Sequence, residues 1–207
     1  MINGTDHWDD RSKYYVQSNN AVERILSRYG SRVSAVACGP SSAINCIAAM
    51  GGSVETATPA GWQPQPEDVL TLWFHDFRNW DRLAKIRTET DPETTKYSPH
   101  EVPQYYPSAV RGVFGVSAQF VWIKNYGAIA GYVKNGHAVM VNHKPDQKRA
   151  GHYIAIVAVD DSSDELIYHD SWPEGIPGHD GWARRLSRDV YNNEVEGYAV
   201  IFKEVAR

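Results

Sequence analysis

The chain has 207 residues, of which 42% are hydrophobic and 22% charged, with a formal net charge of -4. That length suits one domain with a sizeable core, spanning residues 1–207, and is short for two. The composition lacks the basic field of a nucleic-acid binder, and no apolar run approaches the ~20 residues that cross a bilayer, so neither nucleic acid nor membrane embedding is expected. Basic residues gather at Arg184-Arg185, Arg188 and Lys144, Lys148, Arg149, and these read as solvated faces.

Met1 to Asp10 is polar and acidic, without the basic and apolar regions of a signal peptide, so synthesis in the cytoplasm is expected. Lys13 to Gln17 alternates weakly and reads as a short strand or an extended lead-in. Ala21 to Tyr29 carries Val22, Ile25, Leu26 and Tyr29 at helical spacing and stops at Gly30. A second helix starts at Cys38-Gly39-Pro40, runs through small apolar residues and ends at Gly51-Gly52. Cys38 and Cys46 are the only cysteines. Eight residues of helix separate them by ~12 Å, beyond the ~7 Å that a disulfide bridges, so both thiols are expected free.

Residues 53–115 are punctuated by prolines. One helix is predicted over Glu67 to Lys85, and residues 86–110 form an irregular Pro-rich insertion, either a groove wall or a surface excursion. A helix is predicted over Val116 to Lys134, ending at Gly136. Strands follow at His137–Asn142, Tyr153–Val159, Leu166–His169 and Tyr198–Phe202. Helices first and an antiparallel sheet afterwards make an α+β domain.

Cys38 sits at a helix N-terminus, where unpaired amide groups and the helix dipole favour an anion. By itself that position fits a small buried residue equally well. Gly151-His152 opens the strongest strand, and one hairpin later come His169-Asp170-Ser171-Trp172. In a hairpin the start of one strand neighbours the end of the next, so Asp170 falls within reach of His152. A thiol, a base and a group that orients the base make a nucleophilic site.

Ala37-Cys38-Gly39-Pro40-Ser41-Ser42-Ala43-Ile44 resembles the nucleophile motif of the papain-like cysteine peptidases, in the bacteriocin-processing (double-glycine) branch. Gly151 to Val157 and Tyr168 to Trp172 resemble that branch's histidine and aspartate motifs. Tyr14 to Asn20 is similar to its N-terminal glutamine motif, seen also in phage-borne members. The resemblance implies a papain-like α+β fold with Cys38 as nucleophile, His152 as general acid/base, Asp170 as orienter and Gln17 as oxyanion donor. Asn19 or Asn20 is an alternative to Gln17. It further implies hydrolysis of amide bonds through a thioester. Peptidoglycan is the expected substrate, as in phage endolysins that reach the wall through a separate pore. The alternatives are intracellular processing of a protein or peptide, and a papain-like binding module without turnover.

His137 also follows a glycine-containing turn and opens a strand, but no acid follows it after a hairpin, and Asn142 stands too far along. His137, His143, His152 and His169 lack the tight spacing of a zinc site. Asp160 to Glu165 lacks the ligand order of a calcium loop and reads as a solvated turn. No metal or cofactor is expected. Trp62, Trp73, Trp172 and Trp182 read as core or groove aromatics. Nothing in the sequence fixes an oligomeric state.

Overall fold

A computed structural model describes residues 1–16, 37–55, 65–90, 99–145, 151–172 and 180–205. The helix expected at 21–29, Trp62, Lys148 and Arg149 lie outside the described residues.

Among the described residues, seven strands form one antiparallel sheet: β1 (Ile2–Gly4), β2 (Ser117–Trp122), β3 (Ala138–His143), β4 (His152–Asp160), β5 (Glu165–His169), β6 (Arg184–Ser187) and β7 (Val195–Glu204). The order across the sheet is β2-β7-β3-β4-β5-β6. β1 pairs with β4 over residues 158–160, beyond the stretch that β3 covers, and so continues the line of β3. β4 is buried from Tyr153 to Asp160 because helices cover both faces of the sheet. A strand covered on both faces reads as a continuous apolar run, as Tyr153 to Val159 does.

One face carries α1 (Cys38–Ala49), α2 (Pro66–His75) and α4 (Tyr106–Phe114), with α3 (Trp80–Thr90) beside them. The other carries α5 (Tyr126–Lys134) and α6 (Arg188–Glu194). This is the α+β arrangement expected, with the N-terminal helices packed on an antiparallel sheet. α1 is its central piece, buried at every residue from Gly39 to Ala49. Its glycine, alanines and serines let it lie close on β3 and β4, with Ser42 Oγ donating to the Tyr153 carbonyl at 2.7 Å. It ends as its two glycines predict: Gly51 has φ +78°, and the Gly51 and Gly52 amides bond back to the Ala48 and Ile47 carbonyls.

Three expectations are corrected. The helix predicted over Glu67 to Lys85 is two helices, broken where Asp76 turns extended and accepts from the Arg78 amide. The helix predicted over Val116 to Lys134 is β2 followed by α5. Its apolar residues suit either period, but Ala118, Phe120 and Trp122 alternate on the β7 edge, and Asn125 caps α5 by accepting from the Ala128 amide. The insertion around 86–110 is largely ordered where it is described: α3 runs to Thr90, 3-10 turns span Pro99–Glu101 and Pro103–Tyr105, and α4 follows. Pro66, Pro103 and Pro107 sit in the first turn of their helices, where the missing N–H costs nothing. Prolines read as breakers are here starters.

Candidate active site

Cys38 is the first residue of α1 and is partly exposed, whereas Cys46 is buried two turns further on; both are free. The N-cap residue, Ala37, makes no side-chain cap bond. Gly39 is required there: a Cβ would stand 2.1 Å from Tyr106 Oη and 2.8 Å from the His100 carbonyl. Tyr106 Oη donates to that carbonyl at 2.6 Å, and Tyr153 Oη donates to the Glu101 carbonyl at 2.9 Å. These two buried tyrosines tie the 99–105 turns over the Cys38 end of α1. Burial first, with Cys38 and Glu101 as further causes, raises the Tyr106 phenol, so it stays a donor.

His152 opens β4 opposite His143 of β3. Its Nε2–H donates to Asp170 Oδ1 at 2.6 Å, which leaves Nδ1 for the hydrogen bond to Cys38. Both side chains are largely buried, 18% and 10% exposed. Burial alone would lower His152. Hydrogen bonds to Asp170 and Cys38, with their negative charge, outweigh it and push the imidazole up to about 10. Burial likewise raises Asp170, but the His152 hydrogen bond and charge, the Trp172 amide and Arg184 hold its carboxyl below the usual range.

The structure thus brings Cys38, His152 and Asp170 together; Gln17, Asn19 and Asn20 lie outside the described residues. His137 lies at the opposite end of β3 from the His143–His152 pair, its ring against Tyr132. His169 is a core residue: it accepts from the Ala183 amide at 3.2 Å, and burial pulls it down to about 4. His143 bonds Glu194 at 2.9 Å. Among the described residues no group of three His, Cys, Asp or Glu side chains is placed to hold a metal ion. No helix described is long and apolar enough to cross a membrane.

Arg184 is not a solvated residue as its sequence neighbourhood suggests. It reaches Asp170 Oδ2 at 3.2 Å and stacks over Tyr168. Arg185 bridges Asp160 and Glu165, and Arg188 pairs with Asp164, so the acidic turn is neutralised by its neighbours. No local pattern announces these pairings, because β5–β6 register creates them. The Trp172 amide donating to Asp170 Oδ1 at 2.9 Å is different: an aspartate bonding its own backbone two residues on is a turn readable from Asp-Ser-Trp.

No curated protein matches the sequence. Among solved structures, the chain is similar to the peptidase domain of Streptococcus mutans ComA, at 17% identity and TM-score 0.39, covering 59% of this chain and 87% of that one. It is also similar to a C39-like peptidase from Bacillus anthracis, at 10% identity and TM-score 0.36, covering 53% and 60%. Digestive procathepsin L2 proteinase from the Tenebrio molitor larval midgut matches at 13% identity and TM-score 0.44, covering 83% and 62%. The profile of the Peptidase_C39-like family matches residues 10–193, a span that includes α1, His152 at the start of β4 and Asp170 just after β5. The chain belongs to the Peptidase_C39-like family.

Proposed function

We propose that this protein hydrolyses amide bonds in bacterial peptidoglycan through a thioester, with Cys38, His152 and Asp170 as its catalytic triad. The observation that carries the chemistry is a histidine bonded on one side to a carboxylate and on the other to a thiol at a helix start. In this reading His152 holds the Cys38 proton as imidazolium, and the Cys38 sulfur attacks the substrate carbonyl carbon. The carbonyl oxygen becomes an oxyanion beside the start of α1, with the Gln17 side chain as a further donor. Removing one such donor costs about 3–4 kcal/mol of transition-state stabilisation in related chemistry. As the C–N bond breaks, His152 gives its proton to the leaving amine. Water then attacks the thioester, His152 takes its proton, and the carboxylic acid leaves as the thiol is restored. Asp170 keeps the imidazole oriented throughout.

The family supports the bond class, and the likeness of the Tyr14–Asn20 motif to phage-borne members supports the wall as substrate. The test is release of fragments from purified bacterial cell walls by the wild type and by Cys38→Ala, read by mass spectrometry. Release by the wild type alone is expected, and the new termini name the bond cut. Release that survives Cys38→Ala removes the mechanism. If no wall in a panel is cut but a peptide library is, the wall substrate falls and a processing peptidase stands.

A further inference from the structure

The triad's partners arrive from opposite layers. Cys38 is carried by a helix, and Asp170 follows a strand of the sheet. Two consecutive residues of the N-terminal segment span the gap. The Tyr15 amide donates to Asn45 Oδ1 at 2.7 Å, and Asn45 Nδ2 donates to the Tyr15 carbonyl at 2.9 Å. Asn45 lies seven residues after Cys38, which puts it two turns along the same side of α1. It is fully buried, and both ends of its side-chain amide bond the backbone of Tyr15 in another segment. The neighbouring Tyr14 turns the other way. Its Oη donates to the Asp170 carbonyl at 2.5 Å, with the Asp180 carbonyl at 2.8 Å, and its ring meets His169 edge-on at 5.8 Å.

The Asp170 backbone is held from both sides. Its amide donates to the Gly181 carbonyl at 2.8 Å. Gly181 has φ +75°, and a Cβ there would stand 2.2 Å from the Asp170 carbonyl oxygen and 2.3 Å from Tyr14 Oη. The glycine leaves room for the phenol and the carbonyl to meet.

We propose that Tyr14 and Tyr15 form a strap that fixes the helix carrying Cys38 against the segment carrying Asp170, with Tyr14 as a positioning residue for the carboxylate that orients His152. The strap rests on the triad reading above. Tyr14 touches no reacting atom; it acts through the Asp170 backbone. Burial, then the charges of Asp170 and Asp180, raise its phenol, so it remains a donor across the working range. Without it the carboxylate is free to leave Nε2, and the imidazolium that stabilises the Cys38 anion loses its support. Among the described residues, the other titratable or charged groups near His152 are Cys38 itself, Arg184 behind Asp170, and His143 with its Glu194.

The test is the rate of Cys38 alkylation by iodoacetamide between pH 4 and 10, localised by peptide mass spectrometry, in the wild type and Tyr14→Phe. Buried Cys46 serves as the internal control. The wild type is expected to react fast at pH 6. Tyr14→Phe is expected to react about tenfold slower at pH 6 and equally fast above pH 9, the signature of a weakened ion pair, since one pKa unit is a factor of ten in thiolate. Gly181→Ala pushes on the same carbonyl from the other side and is expected to move the profile in the same direction. It takes over the test if Tyr14→Phe does not fold. A profile unchanged in the variant, or lowered uniformly at every pH, overturns the strap and leaves the triad standing. A wild type that is itself slow at pH 6 overturns the triad reading, and the strap with it.

Discussion

Asp170 shows how much a single carboxylate depends on what surrounds it. One oxygen accepts from His152 and from the Trp172 amide, while the other faces Arg184. Its pKa is held below the ordinary 3.8, so the His152–Asp170 pair is complete above that value and is lost as pH falls through the depressed one. Arg184→Gln removes part of that depression and moves the loss to higher pH. The expected result is a few-fold drop in kcat/KM at neutral pH, on the order of 0.5–1.5 kcal/mol, with the acid limb of the pH–rate profile shifted upward. An unchanged acid limb would mean that Arg184 serves only β5–β6 packing. At this scale Cys38, His152 and Asp170 were legible in the sequence, since a thiol at a helix start and a histidine and acid across one hairpin are local patterns. Arg184 and Tyr14 were not. Each meets Asp170 only through strand register or through a chain separation of 156 residues.

α1 combines the duties of core and site. A helix buried along its length cannot be amphipathic, so its sequence shows small residues rather than a stripe. Its first turn is crowded to the limit by Tyr106. Gly39→Ala is expected to cost about 1–3 kcal/mol in denaturant unfolding, as overpacking does. The same substitution in a Tyr106→Phe background costs less, because the nearest clash is with the hydroxyl that Phe lacks. Equal costs in the two backgrounds would show that the His100 carbonyl sets the limit instead. On the opposite face of the sheet, Asn125→Ala removes the α5 cap and is expected to cost ~1 kcal/mol, read as a lowered Tm. The termini of α1 were legible because Gly-Pro and Gly-Gly carry their own backbone preferences. β2 and α5 were merged into one helix because short apolar runs fit periods of 2 and 3.6 alike, and only pairing with β7 decides between them.

Across the molecule, two buried groups tilt stability against alkaline pH. Glu67 is fully buried on α2, and burial raises its carboxyl from 4.5 to about 8. His152 is raised from 6.5 to about 10. A group raised on folding contributes stability that is complete below its unfolded value and is lost as pH climbs through its folded value. Stability is therefore expected to fall from about pH 4.5 to about 8 through Glu67, and from about 6.5 to about 10 through His152. Glu67→Gln should remove the Glu67 share of the fall between about pH 4.5 and about 8, on the order of a few kcal/mol, and leave the share that His152 contributes. Thermal melts of the two proteins between pH 4 and 10 check this, and parallel curves would exclude Glu67 as the cause.

By itself the sequence determined the class of fold, the central helix and its ends, and the residue types that meet as thiol, imidazole and carboxylate. Each of these is written in neighbours, in a turn, or in a run whose period is unambiguous. Only the tertiary structure decided where the β2–α5 stretch changes from strand to helix, which prolines open helices, and why Gly39 and Gly181 admit no side chain. It also decided that Arg184 and Tyr14 meet Asp170 and that Asn45 meets Tyr15. Those outcomes follow from contacts between layers, and burial, register and close approach exist only after the chain has closed on itself.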